Sequence, residues 1–173
     1  MRRVLAPLIA ALLLLISVVP VLAGGKPEFA KNAPAAPQFF AADELCNFDV
    51  RIDVLVDTGH SIAFPEADDG SARVLLGGHL VLQITNEETG ASATYNASGP
   101  GKFLFHGDRL SITGSGPWLL YPLVGDASGP GIWFTKGPIA LEVDLTDGHW
   151  ISASMPANRV DVCADLGGAG GGL

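Results

Sequence analysis

Residues 46–57 read CNFDVRIDVLVD and alternate almost without fault. Cys46, Phe48, Val50, Ile52, Val54 and Val56 fall on one side of an extended backbone. Asn47, Asp49, Arg51, Asp53 and Asp57 fall on the other, with Leu55 the one misfit. Successive side chains of a strand point to opposite faces, so a period of two specifies a strand with one face in a core and one in water. A helix would scatter the same apolar residues around its whole circumference. The acidic row is read as the solvated face.

The same pattern recurs along the chain. Leu80, Leu82 and Ile84 alternate with Val81, Gln83 and Thr85; the turn 86–90 follows, then residues 91–96. Gly90 takes the left-handed position of that hairpin. Ile139, Leu141, Val143 and Leu145 alternate with Ala140, Glu142, Asp144 and Thr146, and Asp147-Gly148 turns the chain into residues 149–153. Asp-Gly between alternating runs is a strong hairpin signal. Residues 159–163 supply a last strand. Pro and Gly interrupt too often for an amphipathic helix of useful length after the N-terminal region, and branched residues favour strands. The expectation is an all-β fold: a single antiparallel β-barrel, or a sandwich, built mostly from hairpins. The barrel is preferred because most connections read as hairpins. Gly77-Gly78 predicts a bulge that curves the sheet.

The stretch Ala-Ser-Gly-Pro-Gly occurs twice, at residues 97–101 and 127–131, and Ser115-Gly116-Pro117 lies between them. A phosphate cradle needs glycines that lead into a helix N-terminus. Here each Ser-Gly-Pro leads into an apolar, strand-like run: Phe103-Leu104-Phe105, Trp118-Leu119-Leu120 and Ile132-Trp133-Phe134. These are turns, and Pro followed by Gly suits type II. They deliver Phe103, Phe105, Trp118, Tyr121, Trp133 and Phe134 just past a turn, as Asp147-Gly148 delivers Trp150. The plain reading puts these rings in the core. The sharper one lets Trp118, Tyr121 and Trp133 line a barrel mouth and stack on an apolar or sugar-like ligand.

Catalysis has less support. No G-x-S-x-G, H-E-x-x-H or Cys/His pattern is present, so no catalytic residue, metal site or cofactor is assigned. His60, His79, His106 and His149 each adjoin a glycine and are read as exposed turn residues. Asp68-Asp69, Asp108, and Glu142 with Asp144 are better explained as wet faces than as catalytic pairs. Asn96-Ala97-Ser98 fits a glycosylation sequon.

The N-terminus sets the compartment. Met1-Arg2-Arg3 precedes an apolar run to Val21, and Val21-Leu22-Ala23 suits a signal peptidase. Residues 1–23 are read as a signal peptide and the protein as secreted; the alternative is an uncleaved N-terminal anchor. Cleavage takes the formal net charge from −8 to −10 by removing Arg2 and Arg3. An acidic chain without a run of Lys and Arg is not expected to bind nucleic acid, or a membrane once the signal is gone. Residues 24–43 read as a flexible Pro/Ala-rich tether, with Phe29, Phe39 and Phe40 available to dock. Residues 44–165 form the β domain, and 166–173 a flexible Gly-rich tail.

Cys46 and Cys163 frame that domain. In a secreted chain such a pair is expected to form a disulfide, which stabilises by about 4–5 kcal/mol for so long a loop. Cys163 falls on the face of Arg159 and Asp161 while Cys46 shares the apolar face, so a bend or strand end must reconcile them.

Residues 94–101, the segment Gly116-Pro117-Trp118-Leu119-Leu120, the opening Cys46 and the closing Val160-Asp161-Val162-Cys163 resemble a group of secreted actinobacterial proteins with no assigned activity. The resemblance spans most of residues 46–163. It implies secretion and one domain, and carries over no site residues. Three function classes follow: a non-enzymatic module that binds a small molecule; an envelope or extracellular module that binds another protein; and, with least support, a secreted hydrolase.

Overall fold

The structure, a computed structural model, describes residues 26–167. Its strands are β1 (Glu28–Lys31), β2 (Gln38–Phe40), β3 (Val50–Asp57), β4 (His60–Ala63), β5 (Ala72–Gly77), β6 (Leu80–Asn86) and β7 (Ser92–Asn96). They continue as β8 (Gly101–His106), β9 (Arg109–Gly114), β10 (Pro117–Leu120), β11 (Trp133–Lys136), β12 (Ile139–Asp144), β13 (Trp150–Ser154) and β14 (Val160–Asp161). A short helix, α1 (Val162–Gly167), follows. Three sheets form, in the orders β1-β4-β5-β8-β9-β12-β13, β2-β3-β6-β7 and β10-β11-β14.

The register shows how the sheets are related. β3 runs into β4 through Thr58-Gly59, and β5 into β6 through Gly78-His79. Because β3 pairs with β6 and β4 with β5, these four strands are two long strands of one bent ribbon. The rest of the chain repeats the device: β7 leads into β8, β9 into β10 and β11 into β12, with longer breaks between β1 and β2 and between β13 and β14. The molecule is an up-and-down meander of seven bent strands. One half of every strand lies in the seven-stranded sheet, and the other half lies in one of the two smaller sheets.

Glycine makes the corner. Gly78 has φ +119, and a Cβ there would stand 2.5 Å from the Cα of Gly59 and 2.7 Å from the carbonyl oxygen of Thr58. Only hydrogen fits between the two backbones. The sheet bends at the Gly77-Gly78 pair that the sequence marked.

The all-β, antiparallel class and the Cys46–Cys163 disulfide are as expected, with the two Cα atoms 5.4 Å apart. None of the three sheets closes into a barrel. The first and last long strands make no pair with each other, and their ends are short: β2 has three residues and β14 two. The disulfide bridges that seam where hydrogen bonds do not. The register puzzle resolves because β14 ends at Asp161, which leaves Cys163 on α1.

Two cores result. Phe40, Val50, Ile52, Leu82, Ile84, Leu119, Ile132, Val162 and Leu166 fill the half between the two smaller sheets and α1. Leu110, Ile112, Leu120, Ile139, Leu141 and Val143 fill the other, with Phe103, Phe105, Trp118, Trp133 and Trp150 packed against them.

The sequence reading needs local corrections. Residues 45–48 form a bend, and the strand begins at Val50. Leu55, the misfit, sits in a bulge between Val54 and Val56 and is 52% exposed. The bulge adds one residue to the pleat, so Val56 pairs with Val81 and is 38% exposed instead of joining the core. The stretch 24–43, expected as a tether, supplies β1 and β2, and Phe40 is buried while Phe29 and Phe39 stay exposed. At the other end Leu166, assigned to the tail, is buried, and its carbonyl accepts a hydrogen bond from Asn86 Nδ2. The signal peptide and residues 168–173 lie outside the described residues.

Candidate functional site

Of the three aromatic residues singled out by the sequence, Trp133 lines a cleft at the seam, and Trp118 and Tyr121 line neither that cleft nor the groove beside β7. Trp118 lies over glycine backbone. A Cβ on Gly101 would stand 2.7 Å from its Cη2 and one on Gly114 2.6 Å from its Cε2, and one on Gly99 would overlap the ring as well. Its Nε1 donates to the carbonyl of Ser115 at 3.2 Å. The glycines of the first Ala-Ser-Gly-Pro-Gly therefore make room for an indole. The type II expectation needs correction: Gly101 has no positive φ and Gly131, at φ +159, is close to extended, while the left-handed glycines Gly116 (φ +84) and Gly129 (φ +70) precede the prolines. Tyr121 follows β10 and packs on Phe40, ring centroids 6.0 Å apart. Burial raises its phenol pKa, partly offset by a hydrogen bond with Gln38.

Trp133 is different. It opens β11, beside the seam, and lines a cleft of about 270 Å³ with Asp43, Leu45, Asn47, Gly131, Asp161 and the Cys46–Cys163 disulfide. Residues 43–47 come from the β2–β3 connection, and Asp161 and Cys163 from the end of β14 and the start of α1. The disulfide is what brings the two sets together. The Arg159 guanidinium sits over the indole, 4.6 Å from the ring centroid. Trp133 Nε1 is buried and has no hydrogen-bond partner. A buried donor left unpaired costs about 1–3 kcal/mol.

The cleft's polar side chains are Asp43, Asn47 and Asp161. Among the described residues neither Asp43 nor Asp161 has a cationic side chain within salt-bridge distance. Asp161 Oδ1 accepts the Ala164 N–H at 3.0 Å and so caps α1. Asp43 has φ +71, the one left-handed non-glycine among the described residues. Its N–H donates to the Cys46 carbonyl at 2.7 Å. A strained backbone held by its surroundings is a recurrent feature of binding sites. The cleft thus offers two carboxylates and the Asn47 amide beside an aromatic wall, with the indole N–H buried behind it.

A second groove of about 370 Å³ lies between β7 and the β10–β11 pair, lined by Thr94, Tyr95, Asn96, Pro117, Phe134 and Lys136. Tyr95 and Phe134 pack on each other at 5.0 Å. Burial, and then the negative charge of Asp165, raise the Tyr95 phenol pKa. Asn96 of the sequon borders this groove, its Oδ1 held by the hydroxyl and amide of Ser98.

One histidine finds a carboxylate. His149 Nδ1 lies 3.0 Å from Asp126 Oδ1, and buried Asp126 also accepts the N–H of Leu123 at 2.6 Å and of Trp150 at 2.8 Å. The pair pins the 121–132 loop to the start of β13 and lines neither cleft. No cluster of three or more potential metal-ligating side chains occurs among the described residues.

Sequence reasoning missed Asp43, Asn47, Arg159 and Asp161. A signal was present: each lies within four residues of Cys46 or Cys163, so the expected disulfide already implied that they meet. No family model, curated protein or solved structure matches the chain.

Proposed function

We propose that the protein is a secreted, non-enzymatic binding module whose seam cleft takes a small, polyhydroxylated, sugar-like ligand. The Trp133 ring beside the Asp43 and Asp161 carboxylates, in a cleft of about 270 Å³, carries the reading. A hydroxyl is both donor and acceptor. One polyol can therefore donate to both carboxylates, accept from the Asn47 amide and lay its C–H face on the aromatic wall. A purely apolar ligand would displace water from these polar groups and give them no partner. Secretion is supported by the disulfide, and no described helix is long and apolar enough to cross a membrane.

The cleft has room for about one sugar ring. At about 0.3 kcal/mol per ligand heavy atom, a ring of roughly a dozen atoms binds with a Kd of about a millimolar. The test is a titration of intrinsic tryptophan fluorescence with glucose, mannose, N-acetylglucosamine and their disaccharides. A saturable change with at least one of them is expected, weakened about tenfold or more in Asp43→Asn and lost in Trp133→Phe. No saturable response across the panel, or a response unchanged in both variants, would sink the proposal.

A further inference from the structure

The meander is split at a second place besides the terminal seam. β8 and β9 pair along their whole length, from Gly101 opposite Gly114 to His106 opposite Arg109. Their continuations, β7 and β10, do not pair: β7 is the last strand of the four-stranded sheet and β10 the first of the three-stranded one. The Gly99 N–H donates to the Pro117 carbonyl at 2.7 Å, and beyond that bond the strands part around the groove of about 370 Å³. The groove is closed at the Gly99–Pro117 end and runs along β7 toward the 86–90 turn.

In an antiparallel pair, successive residues alternately turn their N–H and C=O toward the partner and away from it. The Ala97 N–H bonds the Leu80 carbonyl and the Asn86 N–H bonds the Ala91 carbonyl. The odd residues of β7 therefore face β6, and Thr94 and Asn96 present their backbone to the gap. The Gly137 N–H bonds the Gly116 carbonyl, so Trp118 and Leu120 face β11 and Leu119 presents its backbone to the gap from the other side. Tyr95 and Phe134 stand half-buried against the core between these walls. Lys136, opposite Pro117 at the closed end, is exposed, and among the described residues it has no carboxylate within salt-bridge distance. The charge of Asp165 reaches Tyr95 from α1, whose Leu166 carbonyl meets Asn86 at the far end of β6. The groove is thus positive at its closed end and negative toward the turn.

We propose that this groove takes the C-terminal end of an extended peptide as an added strand, with its carboxylate at Lys136 and an apolar side chain on Tyr95 and Phe134. Unpaired backbone donors and acceptors on both walls are what a missing strand leaves, and an extended chain satisfies both sides at once. The closed end admits a chain terminus and not a chain passing through. Lys136 selects the carboxylate there, because an N-terminal ammonium would meet it with like charge. A chain so placed runs antiparallel to β10 and parallel to β7.

The test is a titration of the mature chain, followed by amide proton–nitrogen correlation spectra, with N-acetylated tetrapeptides Thr-Val-Thr-X ending in valine, leucine or phenylalanine. Saturable shifts at the Thr94, Asn96 and Leu119 amides are expected with at least one of them. The C-terminal amide of that peptide binds about tenfold more weakly, and Lys136→Met weakens the free acid about tenfold and makes acid and amide bind alike. The same peptide N-methylated at its two central residues, and hexanoate, which has a carboxylate and an apolar chain but no peptide backbone, bind about tenfold or more weakly than the parent. Unchanged dispersion of the remaining amides checks that Lys136→Met keeps the fold. Asp43→Asn, in the seam cleft, leaves the titration unchanged, so this proposal and the sugar site fail separately. No saturable shift with any peptide, equal binding of acid and amide by the wild type, or hexanoate or the N-methylated peptide binding as tightly as the parent overturns it. The same shifts appearing on concentration without peptide would also overturn it, because the occupant would then be a second copy of the chain.

Discussion

Gly99, Gly101 and Gly114 form a bed for the Trp118 indole, so their side-chain hydrogen is a packing requirement. Adding one methyl at Gly114 pushes a Cβ to within 2.6 Å of the ring, and a flat indole held by β-strand backbone has little room to give. Overpacking of this kind costs about 1–3 kcal/mol. Gly114→Ala is expected to lower urea stability by that amount, and to cost much less in a Trp118→Ala background, where the clash is gone; a double-mutant cycle reads the difference. Tyr95 and Tyr121 are the chain's only tyrosines, and burial raises both phenols above 10. A raised folded pKa favours the neutral phenol in the native state. Its contribution to stability is complete below the unfolded value near 10 and is lost as pH rises through the folded value. Tyrosinate absorbance of the native protein should therefore appear at higher pH than in urea, for both residues, and Tyr121→Phe should blunt alkaline unfolding. Native and denatured titrations that coincide would contradict this.

At the scale of elements, the parts legible in the sequence were those fixed by neighbours. The β6–β7 hairpin has Gly90 at φ +74 and the β12–β13 hairpin has Gly148 at φ +80, both where glycine and turn residues pointed. Leu55 broke the alternation and proved to be the bulge. The corners were half legible: Gly77-Gly78 announced a bend, but its partner Gly59 becomes visible only when β3 and β6 are paired. The tether misled because Gly24-Gly25, Pro27, Pro34 and Pro37 read as repeated breaks. Phe39-Phe40 is too short to show a period, and β2 forms only by adding to β3. The cleft was least legible, because its walls come from chain segments more than a hundred residues apart and only Trp133 carried a local signal. The 121–132 loop illustrates the same limit. Its order depends on Asp126, whose buried carboxylate accepts two backbone N–H bonds and faces His149. Asp126→Ala removes all three contacts and leaves two amides without partners. A loss of about 2–4 kcal/mol is expected, with hydrogen exchange rising at Leu123 and Trp150 ahead of the β8–β9 amides. Uniform acceleration across the chain would show that the loop has no separate anchor.

For the whole molecule, the open question is what replaces barrel closure. Seven bent strands pair in sequence, and the first and last do not pair with each other. The seam between them is closed by the Cys46–Cys163 bond, which joins residues 117 apart. A cross-link of that span restricts the unfolded chain by about 4–5 kcal/mol in chain-entropy terms, and small secreted domains commonly lose 2–5 kcal/mol without one. The two halves should not share the loss equally. The seven-stranded half holds its own ladder and its own core around Leu110, Leu141 and Val143. The cleft exists only where the β2–β3 connection and α1 are held together. A Cys46→Ser/Cys163→Ser protein is therefore expected to be about 2–5 kcal/mol less stable in urea. Under native conditions it should lose the Trp133 fluorescence response to sugars while the β8, β9 and β12 amides keep their protection from hydrogen exchange. Loss of that protection as well, at a temperature where far-ultraviolet circular dichroism remains native, would mean that the two halves form one cooperative unit held by the seam bond.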